Sequence, residues 1–100
     1  MPLKFQSNDH KYFLRPNIIK GEFEVVLNDD KSFTYKKEFM TNEIASIFGQ
    51  DGNGTWREVG EDYVLEGRGT DWGDVYRGSE TWRNPMRIKE KIAKNLFNSI

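Results

Sequence analysis

The sequence predicts an α+β fold: a curved antiparallel β-meander of about five strands, with a short inserted helix and a C-terminal amphipathic helix packed on the sheet. Two observations carry the sheet. Apolar and polar residues alternate through 18–39, and a second pair of alternating runs flanks Gly60-Glu61. A third carries the terminal helix: apolar residues recur at helical spacing after Asn84-Pro85.

Taken in order, Phe23, Val25 and Leu27 alternate with Glu22, Glu24 and Val26, and Phe33, Tyr35 and Phe39 continue the pattern beyond Asp29-Asp30-Lys31. A two-residue loop would mix the faces. A three-residue loop, Asp29-Asp30-Lys31, pairs Leu27 with Phe33 and Val25 with Tyr35 and keeps one apolar face, so the sequence predicts that register. Thr41 as an N-cap, Glu43 in the first turn and Gly49 as a stop predict a short helix over 42–48, packed through Ile44, Ile47 and Phe48. Residues 50–54 read as a flexible connection. The runs 55–59 and 62–68 predict a hairpin with Gly60 at the first position of a type II′ turn, setting Trp56 opposite Leu65 and Glu58 opposite Tyr63.

A loop over 69–73 and a strand over 74–82 are expected next. Pro85 at a first helical position opens a predicted helix over 85–98. Met86, Ile88, Ile92, Ala93, Leu96, Phe97 and Ile100 fill half of its circumference, and Arg87, Lys91, Lys94 and Asn98 the other half. Lys89 falls inside the apolar arc and breaks the pattern.

The 100 residues contain no cysteine, which excludes a disulfide framework, a thiol nucleophile and cysteine-based metal sites, and fits a reducing, cytoplasmic setting. No segment is apolar enough to act as a signal peptide or to span a bilayer as a helix, and no linker divides the chain, so one domain over 1–100 is expected. The formal charge of −1 hides a pattern: +1 over 1–40, −6 over 41–82 and +4 over 83–100. An acidic middle and a basic tail complement each other in the folded chain or present two faces to partners.

The segments VVLNDDKSFTYKKEF and GNGTWREVGEDYVLEG resemble a pattern of lipocalin-like, calycin-type β-meanders over residues 25–67, carried by Leu27, Asn28, Asp30, Phe33, Tyr35, Gly54, Thr55, Trp56, Gly60 and Leu65. The resemblance implies a structural role for Trp56 and carriage of a small hydrophobic ligand in a cavity between sheet and helix.

Catalytic constellations are missing. His10 is the one histidine and stands beside Asp9, without a serine in a nucleophile setting. Asp51-Gly52-Asn53 opens like a calcium loop, but Trp56 stands where the sharp-turn glycine belongs. The spacing of Glu58, Glu61, Asp62 and Glu66 matches solvated strand and turn positions. Gly67, Gly69 and Gly73 do not have dinucleotide-loop spacing. No cofactor or metal is expected.

What remains is the stretch GRGTDWGDVYRGSETWRNP, which sets Arg68, Arg77 and Arg83 among Trp72, Tyr76 and Trp82. These types bind phosphates and stack on bases, and the element order is similar to that of a double-stranded RNA-binding domain. Glu66, Asp71, Asp74 and Glu80 among the arginines oppose a polyanion. Tyr76 and Trp82 share a face of the predicted strand and are assigned to the core. Trp72, in a turn between Asp71 and Gly73, reads as the anchor of a protein interface, with Arg68, Arg77, Asp71 and Asp74 supplying charged contacts. The alternative is that Trp72 folds back over the sheet edge. The function expected is therefore non-enzymatic binding of a protein partner by occupation of its surface, as adaptors, antitoxins, immunity proteins and phage-encoded inhibitors do. Small-ligand carriage and nucleic-acid binding are the alternatives.

Overall fold

The computed structural model describes residues 1–8, 18–41, 47–74 and 81–100. They form one antiparallel sheet from strands β1 (Leu3–Ser7), β2 (Ile18–Leu27), β3 (Ser32–Thr41), β4 (Ile47–Val59), β5 (Asp62–Asp74), β6 (Thr81–Ala93) and β7 (Asn98–Ser99), with a 3-10 turn at Lys94–Leu96. The spatial order is β6-β5-β4-β3-β2-β1-β7. Six strands thus follow one another as an up-and-down meander, and the last two residues of strand reach back to the far margin.

The β2–β3 hairpin has the register that the alternation predicts, with Leu27 opposite Phe33 and Val25 opposite Tyr35. Its three-residue loop ends on Lys31 at φ 71°, the left-handed position that such a loop requires. The Asp30 carboxylate accepts hydrogen bonds from the Ser32 amide (3.0 Å) and hydroxyl (2.6 Å), which fixes the turn. The β4–β5 turn is also as expected: Gly60 has φ +59°, Glu61 has no positive φ, and Trp56 lies opposite Leu65. That combination is a type II′ turn.

Four glycines then make the sheet curl. Gly52 and Gly54 of β4 face Gly69 and Gly67 of β5 on the inner surface. A Cβ on Gly67 or Gly69 would collide with the carbonyl oxygen of Asn53 or Asp51, and one on Gly52 would take the place of the Ile88 Cδ1 methyl. The absence of side chains lets the strands bend sharply toward their inner face and brings β6 over β3. The core lies inside this curl: Phe5, Phe23, Val25, Leu27, Phe33, Tyr35, Trp56, Leu65, Ile88 and Ile92. Phe97 packs against Phe5 of β1 (centroids 5.6 Å) and against Tyr63 of β5 (5.0 Å), joining β1 to β5 before Ser99 pairs with Leu3.

The fold class is therefore all-β, and the α+β expectation is corrected. Among the described residues there is no α-helix. The sheet has seven strands rather than about five. Of the expected inserted helix, Ile47 and Phe48 belong to β4, and residues 42–46 lie outside the described residues. The expected loop over 69–73 is the continuation of β5, and the expected connection over 50–54 is the glycine-rich middle of β4. The C-terminal helix is replaced by β6 and the 3-10 turn. Good helix formers occupy 86–94, but pairing with β5 along thirteen residues outweighs propensities of a few tenths of a kcal/mol each. Period two also accounts for Lys89. Met86, Ile88, Glu90 and Ile92 point inward, and Arg87, Lys89 and Lys91 point outward.

Candidate functional site

The expected binding residues lie on β5, and the two-residue repeat of a strand divides them. Arg68, Trp72 and Asp74 share the outer face of the sheet, whereas Asp71 points inward, opposite Gln50 of β4 and Asn84 of β6. Arg77 lies outside the described residues.

Trp72 is half-buried and seated in the sheet rather than in a turn. It stands opposite Gly49 on one side and Arg83 on the other. The six-membered ring of the indole covers Gly49 so closely that a Cβ there would occupy the same space. The glycine thus makes the seat, and the tryptophan lies along the outer surface instead of projecting from it. Its Nε1 is buried and has no hydrogen-bond acceptor among the described residues. A buried donor without a partner costs about 1–3 kcal/mol. Trp56 provides the contrast: its Nε1 donates to the Asn28 carbonyl at 2.9 Å, and Lys31 Nζ stands 3.9 Å above the ring.

Arg68 is exposed, opposite Asn53 and Arg87. Asp74, also exposed, accepts a hydrogen bond from the Thr81 hydroxyl at 2.6 Å, which ties the end of β5 to the start of β6. Thr34, Lys36, Asp51, Asn53, Arg68 and Thr70 line a shallow, open depression over the glycine bend. Trp82, assigned to the core from sequence, lies on the inner face against Gly73 and Phe48, half-buried. Tyr76 lies outside the described residues.

Sequence reasoning missed a second feature of this face. Arg83, Arg87, Lys89 and Lys91 form an exposed cationic row on the outer side of β6, beside Arg68. The helical reading sets Arg87 and Lys91 on the polar half, puts Lys89 in the apolar arc and leaves Arg83 outside the helix. The anomalous Lys89, two residues from both Arg87 and Lys91, was the signal for the strand period.

Several other charged groups hold the fold. Glu58 pairs with Lys94 at 2.9 Å and Glu66 with Arg57 at 3.1 Å. The hydrogen bond from Lys94 holds the Glu58 carboxyl below the usual carboxylate range, and the same bond raises Lys94. On the inner face, the Tyr35 hydroxyl and Lys37 Nζ both reach Glu90 Oε1, at 2.6 and 3.3 Å. Burial first, and the Glu90 carboxylate second, push Tyr35 far above the ordinary tyrosine range, so it stays a proton donor. No group of three or more metal-ligating side chains comes together among the described residues. No helix among them is long and apolar enough to cross a membrane. No family model, curated protein or solved structure matches the chain.

Proposed function

We propose that this protein is a non-enzymatic binding module that acts by occupying the surface of a protein partner. The contact surface is the outer face of β5 and β6, with Trp72 as its anchor and Arg68 and Asp74 beside it. The observation that carries this reading is the placement of Trp72. A large aromatic lies on the outer face over Gly49, away from the core cluster, with a buried N–H that has no acceptor among the described residues. Tryptophan and arginine are the residue types that dominate binding energy at protein interfaces. The lack of cysteine suits a reducing, cytoplasmic setting for such a module.

Affinity capture tests the reading. Tagged wild-type protein and the variants Trp72→Ala and Arg68→Glu, each checked for retained sheet signal by circular dichroism, are incubated with native lysate with and without nuclease. A protein that wild type retains after nuclease treatment, and that folded Trp72→Ala loses, supports the proposal. Equal retention by all three variants, or material that disappears on nuclease treatment, overturns it.

A further inference from the structure

β6 is the margin of the sheet. β5 pairs with it along thirteen residues, and no described strand occupies its other side. At the other end of the sheet the short β7 pairs with Leu3 and Lys4 of β1. An open edge presents unpaired N–H and C=O groups, a template for another strand. The side chains on this edge are not neutral. On the outer face the sequence reads Arg83, Pro85, Arg87, Lys89, Lys91, all exposed. The four cations make no ion pair among the described residues. Arg68 lies next to Arg87 in register, and Glu66, which faces Lys89, is engaged by Arg57.

This pattern selects the occupant. A second copy of the chain is opposed: antiparallel pairing of β6 with itself about Lys89 sets Lys89 against Lys89 and Arg87 against Lys91. Pairing about Arg87 is no better, since Arg87 then faces itself and Arg83 faces Lys91. Glu90, the strand's one acid, is inside and bonded to Tyr35. Like charges directly opposite in a sheet are destabilising. An acidic strand reverses the sign of each contact. Polyanions such as nucleic acids also meet the cations, but they leave the backbone row of β6 unpaired.

We infer that β6 accepts an extended acidic segment of the partner by strand addition, with carboxylates at every second residue beside Arg87, Lys89 and Lys91. The inference rests on the protein-binding reading above and specifies the chemistry of the partner. Pro85 lacks an N–H and breaks the donor row, so the added strand pairs along residues 86–93. A carboxylate spacing of two residues, about 6.6–6.8 Å in an extended chain, follows the cationic row.

The probe is a capped nonapeptide of alternating glutamate and valine, followed by fluorescence anisotropy at physiological ionic strength and by amide shifts of the full-length protein. Three comparisons accompany it: the same peptide N-methylated at alternate amides, its lysine-for-glutamate counterpart, and a single-stranded oligonucleotide of equal charge. The acidic peptide should bind and perturb amides of 86–93, with N-methylation or lysine replacement weakening it about tenfold or more. The double variant Lys89→Glu/Lys91→Glu should reverse the preference and take the lysine peptide. Equal binding of the N-methylated peptide, tighter binding of the oligonucleotide, or no binding at all overturns the inference. If the peptide fails to bind while Trp72-dependent capture persists in Lys89→Glu/Lys91→Glu, the inference falls and the proposed function stands. If the peptide binds but capture does not depend on Trp72, the edge survives and the anchor does not.

Discussion

The Tyr35 hydroxyl donates a 2.6 Å hydrogen bond to Glu90 Oε1, joining β3 to β6 across 55 residues of sequence. The two strands are separated by β4 and β5 in the sheet, so the bond exists only because the glycine bend folds one margin over the middle. Tyr35→Phe removes the donor and leaves the carboxylate with Lys37 alone in a partly buried site. The expected loss is about 1.5–3 kcal/mol, the range for a hydrogen bond to a charged group. Urea denaturation gives the value. A loss below a few tenths of a kcal/mol would mean that β6 does not lie over β3.

The bend itself is testable through its glycines. Gly69→Ala places a methyl against the Asp51 carbonyl oxygen, where backbone rather than a mobile side chain must give way. We expect about 3 kcal/mol or more of destabilisation, or failure to fold. Gly60→Ala is the control. Its site is open, with no atom near a new Cβ, so only the strain of φ +59° applies, about 1 kcal/mol. Thermal denaturation of the two variants should separate them clearly, and similar midpoints would remove the steric account of the curl.

Trp72 and Gly49 offer a separation of stability from binding. Trp72→Phe retains an aromatic over the glycine and deletes the buried N–H that has no acceptor among the described residues. The free protein should be unchanged or up to about 1 kcal/mol more stable, since an unsatisfied donor has been removed. Partner capture should weaken nonetheless, because phenylalanine presents a smaller aromatic surface to the partner. Gly49→Val acts differently: it displaces the ring, so both stability and capture should fall. Parallel melts and captures of the two variants check this, and a destabilised Trp72→Phe would show that the N–H is satisfied.

The legible parts of this fold are those in which neighbouring residues decide. The Asp29-Asp30-Lys31 loop, the Gly60-Glu61 turn and the registers beside them follow from strand alternation and turn chemistry alone. Residues 85–98 read as a helix because apolar residues recur at helical spacing after Asn84-Pro85, and the thirteen-residue pairing partner that overrides this signal is supplied by β5. Gly67, Gly69 and Gly73 suggested turns, whereas Gly67 and Gly69 serve a bend within a continuous strand, which requires knowing what crosses it. The same limit applies to the candidate site. Residue types and an expected turn point to Arg68, Asp71, Trp72, Asp74 and Arg77, but only strand geometry sends Asp71 inward and aligns Arg83, Arg87, Lys89 and Lys91 on one edge.

The β2–β3 turn should make stability depend on acid pH with a definite sign. Hydrogen bonds from the Ser32 hydroxyl and amide hold the Asp30 carboxyl below its ordinary value of 3.8. The folded state therefore binds this proton less tightly than the unfolded chain. Its stabilising contribution is complete above the ordinary aspartate range and is lost as pH falls through the lowered folded value. Glu58, lowered by its bond to Lys94, acts in the same direction. Asp30→Asn keeps an acceptor for Ser32 but removes the titrating charge. Urea midpoints between pH 2 and 7 should fall more steeply at the acid end for wild type than for Asp30→Asn. Parallel curves would show that the Ser32 bonds do not favour the charged form, because the variant cannot titrate and a coupled carboxylate must.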